Sequence, residues 1–331
     1  MTEQHLSPGQ LLEISGSYWK TCALHAAVKL DVFSAIGDGA EPAAAVAENA
    51  GFSEDATERL LNALAAMGLL EKTGDRFTNT ETASRFLVKS ADSYLGYMIM
   101  HHHYLMPSWN RLADSVRTGR PARERTISGD DDRREAFLMG MFNIASAIAP
   151  TVAELIDLGG CRRLLDLGGG PGTFAIHFCQ KHPELTAAVY DLATTRPFAQ
   201  KTIKKFGLED RIRFIPGDYT SEEVDGAFDA VWMSHILHGE DPATCREMIR
   251  KAVGTLTGKG RIFIHEFILE DNADGPLFPA LFSLNMLVGT DGGRAYTQAE
   301  LIDMLTAAGV GDIQRLPFIG PTESGILAGR V

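Results

Sequence analysis

Arg163-Leu164-Leu165-Asp166-Leu167-Gly168-Gly169-Gly170-Pro171-Gly172 is the stretch that decides the fold. Leu164, Leu165 and Leu167 form an apolar run too short for a helix, and the glycines end it abruptly, which predicts a buried strand entering a tight turn. Glycine tolerates positive φ there and lets a ligand lie against the backbone. The segment behind it, Thr173 to Lys181, has helical character, so the loop presents amide N–H groups at a helix start, the geometry of a nucleotide site. An ordinary strand-to-helix turn does not need three consecutive glycines and a fourth after proline.

Beyond Gly160 strands and helices alternate, as in a doubly wound α/β sheet. Strands are predicted at Arg163 to Leu167, Thr186 to Asp191, Ile212 to Pro216, Phe228 to Ser234, Gly260 to Phe267, Ile313 to Pro317 and Gly325 to Gly329. Only Phe318 to Ser324 joins the last two, too short for a parallel crossover, so the final strand should run antiparallel to its predecessor. A nucleoside on the glycine loop needs an acid at the next strand end for its ribose hydroxyls, and Asp191 stands there, 21 residues after Gly170. After the third strand, Asp218 can accept from an adenine amino group while Tyr219 packs on the ring. A dinucleotide loop, G-x-G-x-x-G, would place glycine at Thr173, which disfavours a nicotinamide-dependent oxidoreductase. The fourth strand runs into Met233-Ser234-His235-Ile236-Leu237-His238-Gly239, where either His235 or His238 is a candidate base.

The chain has 331 residues, room for about two domains. Its composition, 45% hydrophobic and 22% charged, is that of a soluble globular protein, and a net charge of −12 argues against a nucleic acid partner. Cys22, Cys161, Cys179 and Cys245 form no C-x-x-C pair, so neither a metal site nor a disulfide framework is expected. Met1 to Gln10 lacks a signal-peptide pattern, and no window has the roughly 18 uninterrupted apolar residues of a membrane span, which makes a reducing cytoplasm the expected compartment.

Upstream of the sheet, Ser7 to Leu30 reads as one or two amphipathic helices, followed by helical pieces at Asp31 to Ile36, Pro42 to Asn49 and Ser53 to Met67. Ser53 is the expected cap of the last, whose inner face carries Leu60, Leu61, Leu64 and Met67. Leu69 to Lys72 and Arg76 to Thr78 form a hairpin. That order is a winged helix, but Glu54, Asp55 and Glu58 on the would-be reading helix repel phosphate, which disfavours a transcriptional regulator. Apolar helices that dock on a second subunit are the better reading. His101-His102-His103 lie on a helix from Met98 to Trp109, where adjacent side chains diverge by about 100° and cannot converge on one ion. Arg117 to Arg134 reads as a solvated loop, and Ala136 to Leu158 as a helix with Phe137, Met141, Ile144, Ile148, Val152 and Leu155 on one stripe. The resulting division is 1–97, a helical linker at 98–158, and 159–331.

Together, Leu165-Asp166-Leu167-Gly168-Gly169-Gly170-Pro171-Gly172, Tyr190-Asp191-Leu192, Gly217-Asp218 and Ile236-Leu237-His238 resemble the S-adenosylmethionine-dependent O-methyltransferases of the plant caffeate and bacterial natural-product type. Trp109, Leu112 and Thr118-Gly119-Arg120-Pro121 extend the likeness over nearly the whole chain. The resemblance implies a class I methyltransferase domain, with a seven-stranded mostly parallel sheet, behind a mainly helical winged-helix dimerisation domain. It implies a homodimer with no nucleic acid or membrane partner and no metal. Its cofactor would be S-adenosylmethionine, held by Asp166, Gly168, Gly169, Gly170, Asp191, Leu192, Asp218, Tyr219 and Ser234. His238 would be the general base, oriented by Glu266. A small hydroxylated acceptor would lie among Trp109, Met141, Phe142, Asn143, Asn285 and Met286.

Two positions depart from the plant pattern. Gly239 replaces an Asp after the histidine, and Gly292-Gly293-Arg294-Ala295 carries alanine where a second Glu stands, leaving Tyr296 or His235 as possible compensation. Relatives on this scaffold also perform C-methylation, decarboxylation or hydroxylation, so O-methylation is the leading expectation among these.

Overall fold

The computed structural model describes residues 6–123 and 131–331, in two compact units, Met1–Leu105 and Met106–Val331. The first begins with helices α1 (Pro8–Gly16), α2 (Tyr18–Lys29) and α3 (Val32–Ile36). Strand β1 (Glu41–Pro42), helices α4 (Ala43–Ala50) and α5 (Glu54–Ala66), and the hairpin β2 (Leu70–Thr73) and β3 (Arg76–Asn79) follow. Helix α6 (Glu81–Phe86) comes next, and α7 (Gly96–Trp109) contains the unit boundary. The order β1-β3-β2 is the wing, with β1 a two-residue strand too short to show in the sequence. Phe33, Leu61, Leu64 and Phe77 are fully buried at its centre, each such side chain contributing roughly 1.5–3 kcal/mol. Ser53 occupies the N-cap of α5, but its side chain makes no capping bond. Helix α1 buries none of its residues, leaving Leu11, Leu12 and Ile14 exposed beside Tyr18 and Trp19 of α2.

The second unit carries α8 (Leu112–Thr118), α9 (Asp131–Leu155), β4 (Arg163–Leu167), α10 (Thr173–Lys181), β5 (Thr186–Asp191), α11 (Arg196–Lys205), β6 (Ile212–Pro216) and β7 (Phe228–Ser234). It continues with α12 (Pro242–Gly254), β8 (Leu256–Glu266), β9 (Ile268–Leu269), α13 (Leu277–Gly289), β10 (Tyr296–Thr297), α14 (Gln298–Ala307), β11 (Gly311–Arg315) and β12 (Gly325–Arg330). The seven-stranded sheet has the order β11-β12-β8-β7-β4-β5-β6, parallel from β8 to β6, with β12 antiparallel to both neighbours. Strand β4 is central and apolar on both faces, as a strand buried from two sides must be. One face packs Phe174, Phe178 and Trp232 with α9, α10 and α11, and the other packs Met248, Ile249, Leu301 and Leu305 of α12 and α14.

Several expectations shift. Arg117 and Thr118 belong to α8, which ends at Gly119 in the left-handed region, and 124–130 of the predicted loop lie outside the described residues. Helix α9 starts earlier than predicted; of the expected stripe Ile148, Val152 and Leu155 pack on the core, joined by Ala145, Ala149 and Ala153, while Ile144 is exposed. Small residues let the helix approach closely, a signal that a search for large apolar residues overlooks. Helix α9 is long and apolar enough to cross a membrane by composition, but this buried face is spent on the sheet. Strand β8 extends back to Leu256 through polar residues and stops at Glu266, because the Phe267 amide donates to the Glu266 carboxylate instead of the ladder. Strand β11 lies two residues earlier than predicted, without Pro317, which has no N–H to offer a ladder.

Candidate active site

The parallel strands deliver their C-terminal ends to one edge, where the glycine loop is fixed by close packing. Gly168 has φ +66°, and a Cβ there would stand 2.5 Å from Ile236 Cγ2 and 3.3 Å from the Tyr219 ring. The loop after β4 and the segments after β6 and β7 therefore meet at a residue with no room for a side chain. Gly170 also has a left-handed backbone, φ +55°, but a Cβ on it would stand in open space over the loop. Its amide donates to Asp191 Oδ2 at 2.8 Å, while Asp191 Oδ1 accepts from the Leu192 amide at 2.7 Å and the Thr195 hydroxyl at 3.1 Å. Burial pushes the Asp191 carboxyl above its ordinary range against these bonds. A carboxylate has about four acceptor positions, so Asp191 keeps one for a ligand hydroxyl.

Asp218 Oδ1 accepts from the Thr220 amide at 2.9 Å and hydroxyl at 2.6 Å. Burial would raise its carboxyl, but hydrogen bonds from Thr220 and Ser221 outweigh it and hold the group below the usual range. Asp166 is placed differently from its expected role. It is 1% exposed beneath Gly169, with Oδ2 accepting from the Ala175 amide at 3.2 Å. Burial raises it to about 7, the neighbouring Asp191 adding to this and the Ala175 bond opposing it. Asp166 thus shapes the loop from below instead of facing a ligand.

Strand β7 leads through Ile236 into a short 3-10 turn, Leu237–Gly239, that presents His238. His238 Nδ1 lies 2.8 Å from Glu266 Oε2 at the end of the adjacent β8. Glu266 also accepts from the amides of Leu237 at 2.8 Å, His238 at 3.4 Å and Phe267 at 3.2 Å. Burial would raise this carboxyl, but His238 and His235 outweigh it and hold it well below the carboxylate range. An ionised carboxylate only accepts, so His238 Nδ1 must donate, and the neutral ring then carries its lone pair on Nε2. Phe282 packs edge-on to the His238 ring and Phe267 stacks on it, two neighbours the sequence did not reveal.

His235, with φ +55°, places Nδ1 3.7 Å from the same Glu266 oxygen. Its ring lies 4.3 Å from His265, which is fully buried between the hydroxyls of Ser234 at 2.9 Å and Ser324 at 3.0 Å. Ser234 is therefore tied to that buried ring. Tyr296 does not reach His238, since its hydroxyl donates to the Glu240 carbonyl at 2.5 Å, and Ala295 is 1% exposed. A Cβ on Gly293 would meet the His238 carbonyl at 2.4 Å, so this glycine backs the turn.

Of the residues expected around an acceptor, Trp109 Nε1 and Arg123 both donate to Asn285 Oδ1, at 3.2 and 3.3 Å. Met286 is buried beside Asn285 on α13, the helix that also carries Phe282. Phe142 packs against Phe206, which belongs to the core on the α10 and α11 face, while Met141 and Asn143 are half-buried.

A strand-end acid, a glycine cradle and an oriented histidine are what methyl transfer from a nucleoside cofactor needs. The family model described as an O-methyltransferase domain matches residues 109–311, and that of the O-methyltransferase dimerisation domain matches 12–89. The chain belongs to this family. The O-methyltransferase is 34% identical to the 3-hydroxy-5-methyl-1-naphthoate 3-O-methyltransferase of Streptomyces sahachiroi, over 97% of this chain and 95% of the relative. Its structure matches an O-methyltransferase family protein from Burkholderia thailandensis with a TM-score of 0.90, 30% identity and 98% coverage of both chains. Human N-acetylserotonin methyltransferase, solved in complex with S-adenosylmethionine, matches with a TM-score of 0.88 and 26% identity, over 100% of the O-methyltransferase and 99% of the human chain.

Proposed function

We propose that this O-methyltransferase methylates a hydroxyl of a small aromatic or polyketide-like acceptor, with His238 as general base. S-adenosylmethionine is the methyl donor, and when bound it supplies an electrophilic methyl on a sulfonium. The single observation that carries the reading is the 2.8 Å bond from His238 Nδ1 to Glu266, which leaves Nε2 as the acceptor. Nε2 takes the hydroxyl proton as the oxygen becomes nucleophilic, and Glu266 stabilises the imidazolium that forms. Gly168 and Gly170 hold the methionine portion against the backbone, Asp191 takes a ribose hydroxyl, and Asp218 with Tyr219 flanks adenine. Fixed placement of the two reactants in line supplies much of the remaining rate.

Asn285 sharpens the acceptor. Its Oδ1 is engaged by Trp109 and Arg123, so its NH2 group is the end offered to a ligand. That donor favours an acceptor bearing a carbonyl or carboxylate oxygen, in keeping with a relative named for a naphthoate. The exposed apolar residues of α1 and α2 support a homodimer, and four free cysteines fit a reducing compartment such as the cytoplasm.

The test is incubation with S-adenosylmethionine carrying a deuterated methyl and a panel of hydroxylated naphthoates and aromatic polyketides. An O-linked deuteromethyl with an equal amount of S-adenosylhomocysteine is expected. Label on carbon would replace the O-transfer reading with C-methylation.

A further inference from the structure

We propose that His235, His238 and Glu266 form a binding site for a divalent transition metal, zinc foremost, and that its occupation switches the enzyme off. The donor atoms of the three side chains all lie within 4.8 Å of one another, with His235 Nδ1 at 3.7 Å and His238 Nδ1 at 2.8 Å from Glu266 Oε2. Zinc bonds to nitrogen and oxygen are about 2.0–2.1 Å long, which puts neighbouring ligands of a tetrahedral ion about 3.3 Å apart. Small side-chain adjustments therefore close the set around one ion. Two imidazoles and a carboxylate suit zinc, cobalt and nickel better than magnesium or calcium, which prefer oxygen. Glu266 is nearly fully buried and the two rings retain partial exposure, so the ion enters from the histidine side.

Inhibition follows from the chemistry of the His238 ring and rests on its proposed role as base. A metal on Nδ1 takes the lone pair at the position that otherwise carries the hydrogen bonded to Glu266. The neutral ring then holds its proton on Nε2, the atom that must accept the substrate proton. Binding thus turns the base into a donor without moving it. His235 makes this a metal site instead of a plain histidine–carboxylate pair. Its left-handed backbone, held by its amide donating to the His265 carbonyl at 2.8 Å, keeps the second imidazole beside the carboxylate.

The experiment uses the full chain, cleared of metal with a chelator. Cobalt(II) is titrated as a spectroscopic probe, and turnover is measured with zinc chloride, each variant compared with its own zinc-free rate. His235→Asn removes the imidazole while keeping a residue that tolerates the left-handed backbone. Expected are the visible absorption of low-coordinate cobalt in the wild type, zinc inhibition reversed by chelator, and about 10-fold or more zinc needed for inhibition of His235→Asn. Equal zinc sensitivity of the two proteins, or only the faint spectrum of hydrated cobalt, overturns the site. Visible bands with undiminished turnover would keep the site and overturn His238 as the base.

Discussion

The amide of Gly170 donates to Asp191 Oδ2 at 2.8 Å, so the glycine loop and the end of β5 are held as one piece. Asp191→Ala removes the acceptor for Gly170, Leu192 and Thr195 as well as the carboxylate proposed to take a ribose hydroxyl. A charged hydrogen bond is worth about 1.5–3 kcal/mol, so affinity for S-adenosylmethionine should fall about 10- to 100-fold. Calorimetry giving equal affinity would remove the ribose role.

His238→Ala should lower turnover about 10²- to 10⁴-fold, the usual contribution of a positioned base, with cofactor affinity nearly unchanged. Glu266→Gln should act through the histidine, because a neutral amide no longer dictates which ring nitrogen carries the proton. A loss of about 10²-fold or more is expected, by analogy with a triad that loses its carboxylate. Turnover within error of wild type in either variant contradicts the proposed dyad.

Asp166 makes stability depend on pH with a definite sign. Its folded value is raised to about 7 from an ordinary 3.8, so its favourable contribution is complete only below 3.8 and is lost as pH rises through 7. The ionised carboxyl therefore weakens the fold at neutral and alkaline pH. Asp166→Asn, which keeps the shape without the charge, should gain melting temperature relative to wild type as pH rises from about 4 to about 8. A difference that does not vary with pH would mean the group ionises normally.

Glu266 has the opposite sign. Its folded value is depressed, so its stabilisation is present above the ordinary value of 4.5 and is lost as pH falls below it. Thermal melts of Glu266→Gln should show a shallower loss of stability on acidification than wild type; parallel acid limbs would refute this.

The first two helices predict an assembly defect. Leu12 and Trp19 are about 70% exposed, at 73% and 70%, on helices that carry other exposed apolar residues. Leu12→Glu with Trp19→Glu should convert a dimer to a monomer, read as mass by light scattering. A wild-type monomer, or an unaffected dimer, would place the interface elsewhere.

Much of the sheet was legible because strands such as β4 and β5 are short apolar runs closed by a glycine or an acid, at Gly168 and Asp191, whereas the polar start of β8 was not read as strand. Helix α9 was found, and Ile148, Val152 and Leu155 of its expected stripe meet the core, but Ala145, Ala149 and Ala153 beside them were not read because small residues carry little apolar signal. At the site, the residues alone left His235 and His238 open, and the family resemblance pointed to His238 with Glu266, which are hydrogen-bonded. Asp166 was read as facing a ligand because sequence cannot distinguish an acid at the surface of a loop from one beneath it. Phe267, Phe282 and Ile236 were missed as neighbours because ordinary apolar residues announce their packing partners only in three dimensions.

Strand β12 pairs along β8 with Gly325 opposite Glu266 and Ile326 opposite His265. The strand that carries Glu266 is therefore an interior strand, clamped by β7, which leads to His238, on one side and by β12 on the other. The glycine loop rests instead on β4, β5 and β7. Damage to β12 would loosen the carboxylate of the proposed dyad while leaving the cofactor loop's own strands paired.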